Sequence, residues 1–160
     1  MANSVLQAGD RAPAFTLPAD DGDRLRLTEY RGRWVVLYFY PKDFTPGCTA
    51  QAGDFQDALA DFEDLGAVVL GIGPDPVESH AEFRSACGLG FPLLHDRDAK
   101  IASRYGVWRE KQHHGRRYLG IVRSTMVLDP SGRVAQLWDN VRVKGHVDKV
   151  LNWLRKELER

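Results

Sequence analysis

Cysteine is scarce in this chain, with two in 160 residues. That is too few for a disulfide scaffold and fits a reducing compartment. Charge of either sign is not in excess, since 22 basic side chains balance 22 acidic ones. No overall attraction to nucleic acid or to anionic membranes is expected. Long apolar runs are missing too. The longest, Trp34 to Tyr40, falls far short of the roughly 18–20 residues that span a bilayer. The opening stretch from Met1 to Asp10 has neither the basic start nor the apolar centre of a signal peptide. A cytoplasmic protein with no membrane or nucleic-acid partner is the expectation.

Other absences narrow the chemistry. His80, His95, His113, His114 and His146 show no paired ligand spacing with the cysteines, so no metal is expected. The residue three after Cys48 is Gln51, which excludes a Cys-x-x-Cys redox motif. Gly71-Ile-Gly73-Pro lacks the third glycine of a dinucleotide-binding turn, so no cofactor is expected there. No histidine is singled out as the partner of a cysteine protease. There is no repeat, low-complexity tract or Pro/Gly/Ser-rich linker, and residues 1–160 read as a single domain.

What is present is enough for one core: 43% hydrophobic and 10% aromatic residues,. Ala14–Leu17 and Leu25–Leu27 flank Asp20-Asp-Gly-Asp23 and predict a small hairpin. Trp34-Val-Val-Leu-Tyr-Phe-Tyr40 predicts a strand buried on both faces and stopped by Pro41. From Cys48, the apolar residues Ala52, Phe55, Ala58, Leu59, Phe62 and Leu65 recur at helical spacing and predict one helix ended by Gly66. A second strand follows over Ala67–Ile72, then a helix over Val77–Cys87 stopped by Gly88, and a short helix over Asp98–Tyr105. Ile121–Leu128 predicts a third long strand, turned by Asp129-Pro-Ser-Gly132 into a strand over Arg133–Trp138. Val147, Val150, Leu151, Leu154 and Leu158 complete an amphipathic helix. This order predicts an α/β fold resembling thioredoxin: a central mixed β-sheet flanked by helices, with an N-terminal β-hairpin.

The chemistry concentrates where a buried strand ends in a Pro/Gly loop and Cys48 opens a long helix. Unpaired N–H groups and the helix dipole favour a thiolate there. An ordinary thiol with a pKa of about 8.5 is only ~3% ionised at pH 7. Making it largely thiolate requires about 3.4 kcal/mol, more than a helix end supplies. A second donor or cation is therefore needed. Thr45, across a turn, can offer its hydroxyl to the sulfur or to an incoming oxygen. From the local pattern alone, an inert buried cysteine stays open as the alternative.

Pro41, Thr45 and Cys48 match the Pro-x-x-x-Thr-x-x-Cys signature of the peroxiredoxins. The string Tyr38-Phe-Tyr-Pro-Lys-Asp-Phe-Thr-Pro-Gly-Cys-Thr49 resembles the bacterioferritin comigratory protein (peroxiredoxin Q) branch. The likeness continues through Phe91–Leu94, Tyr105–Trp108 and Gly120–Thr125, and ends near Val150–Leu154. It implies a thiol peroxidase in which Cys48 attacks hydrogen peroxide or an alkyl hydroperoxide and becomes a sulfenic acid. It implies that Thr45 and the N–H groups of Gly47 and Cys48 hold the peroxide, that Pro41 shields the pocket and that Arg123 supplies the cation. Thioredoxin or a similar dithiol protein is the implied reductant, the sulfur is the only redox centre, and a monomer is expected. Relatives often carry Glu where this chain has Gln51, so Arg123 is expected to meet a neutral anchor.

Cys87 is read in two ways. The position five residues after Cys48, where many relatives carry a resolving cysteine, is Gly53, and the position used by another branch lies close to Arg84. Cys87 stands one turn later, before Gly88-Leu-Gly90, in a last turn expected to fray cheaply and to let it reach Cys48. Alternatively it packs beside Phe83 as a small hydrophobe, leaving a one-cysteine peroxidase. A catalytically silent thioredoxin-like binding or holdase module is the reading from another class. The eight basic residues between Arg97 and Arg123, against Asp98 and Glu110, read as a solvated face.

Overall fold

The computed structural model describes residues 4–160. The first three residues of the opening stretch lie outside it. Strands β1 (Thr16–Pro18) and β2 (Arg24–Arg26) form the N-terminal hairpin. The central sheet contains β3 (Trp34–Phe39), β4 (Ala67–Gly73), β5 (Leu93–His95), β8 (Ser124–Leu128) and β9 (Val134–Trp138), in the order β5-β4-β3-β8-β9. β3 runs parallel to β4, and β4 to β5, whereas β8 is antiparallel to both β3 and β9. The expected mixed sheet is present.

Alternation along β3 builds two cores from one strand, because successive side chains point to opposite faces. Val35, Leu37 and Phe39 enter one cluster, with Leu70, Ile72, Met126 and the N-terminal hairpin. That layer is closed by helix α4 (Lys100–Arg104) through Ile101 and Ala102. Val36 and Tyr38 enter the other, with α1 (Pro46–Asp57), α2 (Leu59–Asp64), Phe83 of α3 (Val77–Cys87) and α5 (His146–Leu158). Each large apolar side chain buried in these layers contributes about 1.5–3 kcal/mol.

Several boundaries depart from the sequence expectations. The helix expected from Cys48 to Leu65 begins earlier, at Pro46, where the missing N–H carries no penalty,. It then breaks at Ala58 into α1 and α2; the apolar spacing runs through the break because both pieces face the same core. The strand expected over Ile121–Leu128 is two strands, β7 (Arg116–Ile121) and β8. Between them, the Val122 N–H donates to the Val107 carbonyl and the Arg123 carbonyl accepts from the Val141 N–H. Arg123 therefore sits at a corner, not within a strand. The Asp98–Tyr105 helix is a 3-10 turn (Arg97–Ala99) followed by α4, kinked where Asp98 and Ala99 take positive φ.

The hairpin of β6 (Trp108–His113) and β7 was not legible as strands. Its turn is His114-Gly115, both at positive φ, the two-residue geometry that matches strand twist,. At the other anticipated turn, Gly132 (φ 87) closes Asp129–Gly132, and the Asp129 carboxylate accepts from Ser131 and Arg133 N–H groups.

Candidate active site

Cys48 is the third residue of α1 and is 1% exposed. Thr45 caps the helix with extended backbone, Pro46 and Gly47 follow, and no acidic residue stands in the first turn. By helix geometry, the N–H groups of Gly47 and Cys48 have no carbonyl four residues back within the helix. The positive end of the dipole therefore lies at the sulfur without a competing carboxylate.

Arg123 reaches this helix end from the β7–β8 corner, 75 residues away in sequence. Its Nη2 lies 3.4 Å from Cys48 Sγ, and its Nη1 donates to Gln51 Oε1 at 2.6 Å. Gln51, one turn after the cysteine, is fully buried, and its amide nitrogen has no hydrogen-bond partner. The anchor of the guanidinium is neutral, so no carboxylate competes with the sulfur for its charge. Gly47 makes room for the arrangement, because a Cβ there would stand 3.1 Å from Arg123 Nη2.

Pro41 and Thr45 lie in the loop just before Cys48, with one difference of detail, whereas Cys87 comes from α3. Pro41 is half-buried at the bend after β3. The Thr45 hydroxyl donates to the Lys42 carbonyl at 2.8 Å and not to the sulfur. Its single proton is thus committed, and what it offers an incoming molecule is a lone pair. Cys87 is half-buried in the last turn of α3 and packs against the same core cluster as Cys48; both cysteines are free thiols. Burial, followed by the charge of Asp43, pushes the Cys87 thiol up.

The sequence reading missed Lys111 and Tyr38. Lys111, on β6, donates to the Ile121 carbonyl at 2.7 Å. Burial and the nearby Arg123 charge hold its ammonium below the usual lysine range, against an opposing pull from Cys48. It is a second cation in the field of the sulfur. No local motif marks it, because the hairpin that carries it was unrecognised. Tyr38 stacks on Phe55 at 4.5 Å between ring centroids, and its buried hydroxyl is unpartnered. Burial, then the neighbouring Cys48, Asp43 and Cys87, push that hydroxyl well above the ordinary tyrosine range. Among the described residues no cluster of three or more metal-ligating side chains occurs, and no helix is long and apolar enough to cross a membrane.

Comparison with known proteins agrees with this geometry. The AhpC/TSA family profile matches residues 8–137. A putative peroxiredoxin of Mycobacterium tuberculosis is 49% identical over 153 residues, covering 96% of this chain and 95% of its own. Peroxiredoxin Bcp of Bacillus subtilis is 42% identical, covering 98% and 99%. Among solved structures, a mutant of Xylella fastidiosa PrxQ superposes with a TM-score of 0.92 at 36% identity, covering 98% of this chain and 99% of that one. Xanthomonas campestris peroxiredoxin Q superposes with a TM-score of 0.85 at 42% identity, covering 89% and 90%. With a cysteine and an arginine meeting at the head of a helix in a thioredoxin-like fold, the chain belongs to the AhpC/TSA family and is a peroxiredoxin, a thiol peroxidase, of the Bcp/peroxiredoxin Q branch.

Proposed function

We propose that Cys48 is the peroxidatic nucleophile and that this chain reduces hydrogen peroxide and alkyl hydroperoxides by the following cycle. The Cys48 thiolate attacks the nearer peroxide oxygen; the O–O bond breaks, and the electron pair leaves with the distal oxygen as hydroxide or alkoxide. That oxygen takes a proton and departs as water or alcohol, leaving Cys48 as a sulfenic acid. Charge grows on the leaving oxygen, so fixed donors aimed at it lower the barrier. The Gly47 and Cys48 N–H groups and the Arg123 guanidinium are those donors. Thr45, its proton held by Lys42, accepts from the peroxide O–H and orients it. Pro41 screens the pocket from solvent. The single observation that carries this reading is the 3.4 Å approach of Arg123 Nη2 to Cys48 Sγ.

Resolution by Cys87 completes the proposal. Its thiol displaces water from the Cys48 sulfenic acid, giving an intramolecular disulfide that an external dithiol protein of the thioredoxin type reduces. Supporting this, Cys87 is half-buried and not sealed in the core, and its helix ends at Gly88. A monomer working in the cytoplasm, as one thioredoxin-like unit without metal or organic cofactor, completes the reading.

Non-reducing peptide mapping after one equivalent of hydrogen peroxide, with a sulfenic-acid trap present, tests both steps. The expected product is a Cys48–Cys87 disulfide. Trapped sulfenic acid at Cys48 with Cys87 free would make this a one-cysteine peroxidase. An unoxidised Cys48 would overturn the assignment of the nucleophile.

A further inference from the structure

Between Pro41 and Thr45, the loop before α1 carries a buried acid whose role the peroxide chemistry does not use. Asp43 is 4% exposed. One carboxylate oxygen accepts from the Tyr40 hydroxyl at 2.7 Å, and the other from Ser79 Oγ at 2.8 Å and from His80 Nδ1 at 2.7 Å. Its backbone N–H donates to the Asp75 carboxylate at 2.6 Å. The next residue, Phe44, sits at φ 65, a conformation that a bulky side chain keeps only when its surroundings impose it.

His80, on α3, is fully buried. Its Nε2 faces the carbonyl oxygens of Gly73 and Leu94 at 3.2 and 3.1 Å. Carbonyls only accept, so Nε2 carries a proton. Nδ1 faces the carboxylate, so it carries one as well, and the ring is an imidazolium. Burial pushes the His80 pKa down, but the Asp43 hydrogen bond and charge, a backbone bond to Gly73 and the Asp75 charge outweigh it and hold it above the ordinary range. Burial pushes Asp43 up, but hydrogen bonds from His80, Tyr40 and Ser79 and the His80 charge hold it below the carboxylate range. The groups facing the ring are thus Asp43 from the loop, Tyr40 from the end of β3, Ser79 from α3 and Asp75 from the β4–α3 connection. His95 of β5 is bonded to the carbonyl of that same Asp75.

We propose that His80 is a positioning residue for peroxide attack: through Asp43 it holds the Pro41–Thr45 loop against α3, and deprotonating it frees that loop. The inference rests on Cys48 reacting with peroxide. A neutral ring keeping its Nε2 proton would turn the Nδ1 lone pair toward the carboxylate at 2.7 Å, and the one Tyr40 hydroxyl proton, 3.3 Å from Nδ1 and given to Asp43, could serve only one of the two. That repulsion releases the segment in which Pro41 and Thr45 frame the sulfur. With the folded pKa raised, the restraint is complete below the ordinary histidine value of about 6.5 and is lost as pH rises through the folded value.

The test follows three quantities from about pH 6 to about pH 10: Cys48 oxidation by hydrogen peroxide, Cys48 alkylation by iodoacetamide, and amide exchange in residues 41–48. Alkylation needs the thiolate but no peroxide seat. In the wild-type chain, the peroxide rate is expected to fall on the alkaline side and exchange to quicken beyond the base-catalysed rise of an unstructured chain, while alkylation does not fall. His80→Gln should lower the peroxide rate by about 10- to 100-fold at neutral pH, because small misplacements of a reacting frame cost that much. Asp75→Asn keeps an acceptor for the Asp43 N–H but removes a charge that holds the His80 proton on, so both alkaline transitions should move to lower pH. It serves should His80→Gln fail to fold. Transitions that stay in place in Asp75→Asn would overturn the inference, and one set by Lys111 would behave that way. Faster exchange without a change in peroxide rate would overturn the positioning role alone. A wild-type chain whose Cys48 ignores peroxide would overturn the reading of the nucleophile, and the positioning role with it.

Discussion

The two cysteines occupy opposite ends of two helices, and their surroundings differ accordingly. Cys48 lies in the first turn of α1, where the dipole is positive and Arg123 approaches to 3.4 Å. Cys87 lies in the last turn of α3, where the dipole is negative and burial with the Asp43 charge holds the thiol up,. One sulfur meets a positive helix end and a guanidinium, and the other meets a negative helix end and a neighbouring carboxylate. That division is what the proposed cycle, with attack by Cys48 and resolution by Cys87, requires. The second end is also less free than its glycines suggested. Gly88 at φ 63 and the Leu89 N–H bonded back to the Arg84 carbonyl make an ordered helix stop,. Arg84 then ties that stop to the Leu89 carbonyl and to Asp20 of the N-terminal hairpin. Release of Cys87 therefore requires breaking a defined set of bonds, beyond fraying alone.

The sharpest break in this comparison comes from exchanging each sulfur for oxygen. Cys48→Ser is expected to abolish peroxide consumption in a coupled assay, whereas Cys87→Ser should leave the first oxidation of Cys48 at its wild-type rate and remove only the disulfide. A rate loss in Cys87→Ser comparable to that in Cys48→Ser would erase the distinction. Next in size, Arg123→Met should lower the second-order rate of Cys48 oxidation by about 10²- to 10³-fold, the usual effect of losing one preorganised donor, as read by stopped-flow. Gly47→Ala needs no new backbone conformation, yet its Cβ would crowd Arg123 Nη2 at 3.1 Å. A loss of about tenfold in the same assay is expected, corresponding to about 1.4 kcal/mol. The smallest effect concerns the other end: Gly88→Ala forces a side chain into the left-handed region in open space. It should cost about 1 kcal/mol in denaturant unfolding and leave Cys48 oxidation untouched.

Much of the scaffold was legible because its signals are local. The run Trp34–Tyr40 could only be a doubly buried strand, and Val77–Cys87 was bounded by its own glycine. The hairpin of β6 and β7 was not legible, since Trp108–His113 carries no fully buried residue and lacks the alternation that marks a half-buried strand,. Ile121–Leu128 seemed one strand because apolar residues stand on both sides of the corner; the break at Val122 and Arg123 is made by carbonyl and amide partners at Val107 and Val141. The Thr45 hydroxyl, across a turn from Cys48, was expected to donate to the sulfur or to an incoming oxygen. Its proton instead goes to Lys42, three residues back, a choice set by the turn.

By itself the sequence determined the parts that follow from periodicity and chain order: the mixed α/β scaffold, a cysteine opening a helix after a Pro/Gly loop, and a signature shared with the peroxiredoxins. Only the tertiary structure decided how distant charges meet. Arg123 touches Cys48 because the β7–β8 corner lies over the head of α1, and Lys111 joins them because its hairpin folds back beside that corner. His80 and Asp43, 37 residues apart, face each other because β3 and β4 are neighbours in one sheet and deliver the loop and α3 to the same edge. Electrostatic partners are chosen by distance through space, which local sequence does not encode until strand order and register bring the segments together.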